Sequence, residues 1–245
     1  MKKLALFVAM ASLGLATVIH ADDDATASGK IRMIVGNDVA TSDEDYANGS
    51  NWLALDCVAK GCQLLPAKLQ INPGQGGMHL LHFSLVKGDA AHVQAWLRVD
   101  AARPWIKPGP LVTYVSGETD IKHPVGDMSV AIPTPGHQAM LVGLLDRSRE
   151  TVMLQLREPA TRQMLDALTT CASPGDTSWL RWAGDIDGDG KPDYLIVYPR
   201  SDNGVHAVLY LSSVTAAGQL VGEAAVFDSS LAFSRCSGEE WSLTR

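Results

Sequence analysis

The chain has 245 residues, 46% of them hydrophobic, and a formal net charge of −7. An acidic balance of this kind gives no electrostatic case for binding nucleic acid or an anionic membrane surface. The length suffices for a substantial core, arranged as one large domain or two small ones.

Lys2-Lys3, an apolar run from Leu4 through Ile19 and a small residue before Asp22-Asp23-Asp24 predict a cleaved signal peptide over residues 1–21. Its removal takes away two lysines and no acid, leaving 18 basic against 27 acidic residues, a net charge of −9. No second long apolar run follows, so the expected product is soluble, periplasmic or secreted, without an integral membrane span. Residues 22–29 are polar and acidic and read as a flexible leader.

Residues 30–170 read as a strand-rich N-terminal region. Lys30 to Val35 predicts a short first strand, Gly36 to Asn51 a loop rich in Asp, Asn and Gly, and Trp52 the return of ordered structure. Met78 to Val86 and Ala91 to Val99 are apolar runs separated by Lys87-Gly88-Asp89, which predicts a hairpin. Leu111 to Val115 is a further strand candidate, and Val130-Ala131-Ile132 a short edge strand among prolines. Gln138 to Leu145 and Thr151 to Arg157 predict a clearer hairpin, because Val152, Leu154 and Leu156 alternate with Met153, Gln155 and Arg157.

Ala160 to Thr170 predicts an amphipathic helix. Pro159 stands near its first turn, Glu158 beside its positive end, and Met164, Leu165 and Leu168 recur at helical spacing. The expected fold class is therefore α+β, mainly antiparallel strands with that one helix. Residues 171–245 read as a C-terminal β-hairpin module, either separate or part of the same domain, with Leu195 to Tyr198 pairing Val205 to Leu211 and a last strand over Leu220 to Phe227.

Cys57, Cys62, Cys171 and Cys236 form an even set in an exported chain, which implies disulfides and allows three pairings. The preferred pairing is Cys57–Cys62, where Ala59-Lys60-Gly61 can turn the chain, with Cys171–Cys236 enclosing the module. The spacing of Cys57 and Cys62 is wrong for a redox-active Cys-x-x-Cys, so both cystines are expected to be structural.

The one stretch that specifies chemistry is Asp185-Ile186-Asp187-Gly188-Asp189-Gly190-Lys191-Pro192-Asp193, between Trp179 to Gly184 and Tyr194 to Tyr198. Carboxylates at loop positions 1, 3, 5 and 9 with glycine at position 6 offer the hard oxygens and tight turn that calcium takes. The helix-flanked calcium loop would place a bidentate Glu at position 12. Here that position is Ile196, and the flanks favour strands. The wording Gly-Asp-x-Asp-Gly-Asp-Gly-x-x-Asp before an apolar strand resembles the calcium loops of β-propeller FG-GAP repeats, over about twenty residues. The resemblance implies Asp185, Asp187, Asp189 and Asp193 as side-chain ligands, the carbonyl of Lys191 as a fifth oxygen, and no enzyme activity. With a single such loop and no internal copy of its flanks, a complete propeller is not expected.

No nucleophile elbow, zinc-protease helix, phosphate loop or dinucleotide fingerprint occurs. His79 and His82 would point to opposite strand faces, and His92, His123, His137 and His206 have no ligand spacing, so all are expected in packing or at the surface. The tryptophans are expected mainly in core packing, with Trp179 and Trp182 on opposite sides of a strand. These features predict a non-catalytic envelope or binding module organised by calcium, with an unknown protein or glycan partner. The competing expectation is a calcium-stabilised secreted hydrolase acting on an envelope polymer or carbohydrate.

Overall fold

The computed structural model describes residues 31–36, 38–41, 46, 48–74, 78–99, 105–116, 128–134, 138–146, 151–169, 179–199 and 205–229. The expected signal peptide and leader, together with Cys171, Cys236, His123, His137 and Trp241, lie outside these residues.

Among the described residues the fold is built from antiparallel strands in three sheets. A seven-stranded sheet contains β1 (Arg32–Ile34), β2 (Asp38–Thr41), β3 (Gly49–Val58), β4 (Gly61–Pro73), β5 (His79–Leu85), β6 (Val93–Arg98) and β7 (Gly109–Pro110). A four-stranded sheet contains β9 (Met128–Ile132), β10 (Ala139–Asp146), β11 (Thr151–Arg157) and β12 (Arg162–Thr169). The five-stranded sheet runs β16 (Gly222–Ser229), β15 (Val205–Leu211), β14 (Asp193–Pro199), β13 (Leu180–Asp185) and β8 (Val112–Ser116).

The five-stranded sheet is the middle layer, because its two faces enter different cores. Leu195 and Val197 of β14, with Ala207, Leu209 and Leu211 of β15, pack with Leu55, Leu64, Phe83 and Trp96 of the seven-stranded sheet. Their neighbours Tyr194, Ile196, Tyr198, Val208 and Tyr210 pack instead with Leu141, Leu154, Leu156 and Leu165 of the four-stranded sheet. Successive side chains of a strand point to opposite faces, so a sheet covered on both sides needs apolar residues at every position. That requirement explains Tyr194-Leu195-Ile196-Val197-Tyr198, whereas the outer strand β5 alternates buried Leu81 and Phe83 with exposed Leu80, His82 and Ser84. The first core joins residues from the N-terminal and the C-terminal halves of the chain.

Cys57 and Cys62 are direct cross-strand partners in the β3–β4 hairpin and form a disulfide, with Cα atoms 4.1 Å apart. Trp52, Trp96, Trp179 and Trp182 are buried, with Trp182 in the first core and Trp179 in the second. Among the described tryptophans Trp105 is the exception, at 47% exposure.

The amphipathic helix is not formed: Arg162–Thr169 is strand β12, antiparallel to β11, and the fold is β-rich and not α+β. Pro159 and Ala160 lie in a tight turn closed by reciprocal backbone hydrogen bonds between Glu158 and Thr161, which starts a hairpin where a helix start was expected. Gln163 and Leu165 face inward while Met164 is 47% exposed, so a polar residue on the buried face hides the two-residue period. Two further expectations fail. β2 falls inside the expected loop over Gly36 to Asn51. β5 and β6 do not pair, because the β3–β4 hairpin sits at the sheet centre with β6 on one flank and β5 on the other.

Candidate metal centre

The aspartate stretch closes the hairpin between β13 and β14, where Gly184 pairs with Asp193. A Cβ on Gly184 would come within 2.3 Å of both the Trp182 ring and the Val112 carbonyl, so glycine is what lets β8 and the indole close over the loop entrance. Gly188 and Gly190 have φ of 78° and 81°, a left-handed backbone that fits glycine and folds the loop back on itself.

Backbone amides orient the carboxylates. Asp185 accepts from Gly188 N at 2.7 Å and Gly190 N at 3.0 Å, Asp187 from Asp189 N at 3.3 Å, and Asp189 from Lys191 N at 2.8 Å. Asp193 is fully buried. Its Oδ2 accepts from Ile186 N and its Oδ1 from Ser212 N, both at 2.8 Å, which ties the loop to the end of β15. The 3₁₀ turn Ser212–Val214 adds two more ties, since Ser212 Oγ donates to Asp189 at 2.6 Å and Ser213 Oγ donates to Asp187.

One carboxylate oxygen from each of Asp185, Asp187 and Asp193 lies within 4.8 Å of the others. Oxygens on opposite sides of an ion bound at about 2.4 Å would be about 4.8 Å apart, so these three could hold one divalent cation. Asp189 is not in this trio; its carboxylate is engaged by Ser212 and the Lys191 amide. Lys191 is exposed. Among the described residues no lysine or arginine forms an ion pair with any of these aspartates.

Burial pushes the Asp193 carboxyl up to about 8, helped by the charge of Asp187 and opposed by the Ser212 and Ile186 amides. Asp187 is raised as well, first by burial and then by Asp189 and Asp185, against the hydrogen bond from Ser213. Tyr114 on β8 is raised by burial and by the charges of Asp185, Asp193 and Asp189, which places its phenol within electrostatic reach of the cluster. Carboxylates collected at this density, with no cationic side chain paired to them among the described residues, could take a hard cation as their counter-charge.

Sequence reasoning found the loop but missed Tyr114, Ser212 and Ser213. Ser213 lies 26 residues from Asp187, and no spacing rule links a strand end to a preceding hairpin. His79 and His82 fall on opposite faces of β5, whereas His206 is placed between Asp166 and Asp228. No protein-family model, curated protein or solved structure matches the chain. What is found is a metal-capable aspartate cluster within a three-sheet antiparallel fold. Among the described residues no helix is long and apolar enough to cross a membrane.

Proposed function

We propose that this is an exported, non-catalytic envelope or binding module whose β13–β14 loop binds one calcium ion. The carrying observation is the convergence of Asp185, Asp187 and Asp193 within 4.8 Å around a hairpin end that is already tied to β15. Calcium suits an all-oxygen site with a flexible shell of 6–8 ligands. Magnesium demands a near-octahedral shell and keeps several waters, and zinc prefers Cys and His. The ion's task in this reading is to neutralise the cluster and fix the end of the middle sheet, so that binding holds the shape of both cores. An affinity of roughly 10⁻⁴–10⁻³ M suffices outside the cytoplasm. The partner chemistry is left as protein or glycan, and the Cys57–Cys62 disulfide supports an oxidising compartment.

Calorimetric titration of metal-stripped protein tests the reading: one calcium site with weaker magnesium binding is expected. Absence of calcium binding by folded protein would overturn it.

A further inference from the structure

On the second core, away from the aspartate loop, His206 of β15 has both ring nitrogens on carboxylates from different sheets. Nδ1 is 2.7 Å from Asp228 Oδ1 on the neighbouring strand β16, and Nε2 is 3.1 Å from Asp166 Oδ2 on β12 of the four-stranded sheet. The placement is built by register. Tyr198, His206 and Asp228 are successive cross-strand partners on β14, β15 and β16, and the Tyr198 and His206 rings lie 5.5 Å apart.

Asp166 reaches this row because β12 carries a bulge. Pairing passes from Gln155–Met164 directly to Met153–Ala167, so Leu165 and Asp166 both lie opposite the single residue Leu154. An extra residue of this kind re-aims a side chain that strict alternation would send to the other face. Leu165 is buried in the second core, and Asp166 turns to His206 at its margin.

We propose that Asp166–His206–Asp228 is a proton-dependent clasp between the middle sheet and the edge strand β12. An ionised carboxylate only accepts hydrogen bonds, and a neutral imidazole has one N–H to give, so neutral His206 donates to one of the two carboxylates and sets a ring lone pair against the other. The imidazolium donates to both. The groups facing His206 among the described residues are Asp166 from β12, Asp228 from β16 and Tyr198 from β14, with the Tyr210 hydroxyl 3.1 Å behind that of Tyr198. Burial keeps both phenols neutral across the histidine range.

Closure of the clasp and proton uptake therefore favour each other. The contribution is present while His206 is charged and the aspartates are ionised, and it is lost as rising pH deprotonates the ring. β12 is the edge strand of its sheet, so the consequence falls on local opening of Arg162–Thr169 and not on the whole molecule.

Amide hydrogen exchange of β12 at about pH 6 and about pH 8, corrected for intrinsic exchange, tests the clasp within the histidine range. In the wild type, protection should fall about fivefold at the higher pH, the scale of one part-exposed ion pair. In His206→Gln and in Asp166→Asn, protection should be low and equal at both values. NMR of the imidazole nitrogens in the unmodified protein supplies a readout independent of any variant, and β12 should lose protection over the same pH interval in which the His206 ring loses its second proton. Equal protection of wild-type β12 at both values, the same pH dependence in the variants, or β12 protection that does not follow His206 protonation would each overturn the proposal.

Discussion

Asp193 and Asp187 carry different parts of the site, and substitutions should separate them. Asp193 is buried and receives two backbone amides, so Asp193→Asn keeps one acceptor and turns an amide donor toward a backbone donor. A cost of about 1–3 kcal/mol is expected with metal chelated and a larger one with calcium present, since Asp193 also belongs to the converging trio, both read by denaturant unfolding. Asp187→Asn should bind calcium more weakly than wild type, and Asp187→Ala more weakly still, because Asn retains one carbonyl oxygen while Ala retains none. Equal calorimetric affinity in all three proteins would remove Asp187 from the ligand set. A second titration belongs to the Tyr198–Tyr210 pair between the sheets. Burial raises both phenols, Tyr210 up to about 12, and the hydrogen bond between the two hydroxyls opposes that rise at Tyr210 alone. The folded protein therefore keeps protons that the unfolded chain releases near pH 10, so this stability is whole below about pH 10 and lost as pH rises beyond it. Phenolate absorbance should rise together with loss of the far-UV circular dichroism signal. Ionisation of every tyrosine near pH 10 with the fold intact would contradict that account.

At the scale of single elements, strands announced themselves wherever one period ruled the sequence. The β10–β11 hairpin and the Val130–Ile132 edge strand were legible from alternation and prolines, and the aspartate loop from its carboxylate spacing. β12 was not legible, because Gln163 faces inward. Its side chain accepts from Leu220 N at 2.7 Å and Val221 N at 3.0 Å and donates to the Val221 carbonyl at 2.8 Å, fixing β12 to the segment entering β16. A polar residue that answers a distant backbone looks, in sequence, like the polar face of a helix. Gln163→Leu, which restores apolar alternation, should nonetheless destabilise by about 1–3 kcal/mol, since the two amides lose their acceptor. A gain in thermal midpoint would show those hydrogen bonds to be dispensable. The β5–β6 pairing failed for another reason: adjacency in sequence does not reveal that the β3–β4 hairpin already occupies the centre of its sheet.

For the whole molecule, the middle sheet sets what metal binding at this loop would do. Its central strands β14 and β15 pack into a core on each face, and the aspartate loop sits at their end, held to β15 through Asp193, Ser212 and Ser213. The three-layer arrangement was not legible beforehand, because an apolar run such as Tyr194 to Tyr198 fits any strand covered on both sides and does not say by what. Given that arrangement, an ion that binds the folded loop stabilises the middle layer, and with it both cores. Thermal unfolding of wild type and Asp187→Ala, each with chelator and with excess calcium, tests this most directly. Binding to the folded state alone adds about 2.7 kcal/mol when free calcium is 100 times Kd, so the wild-type midpoint should rise and the Asp187→Ala midpoint should rise far less. An equal shift in the two proteins, or no shift in the wild type, would contradict the claim that this loop is a calcium site holding the fold.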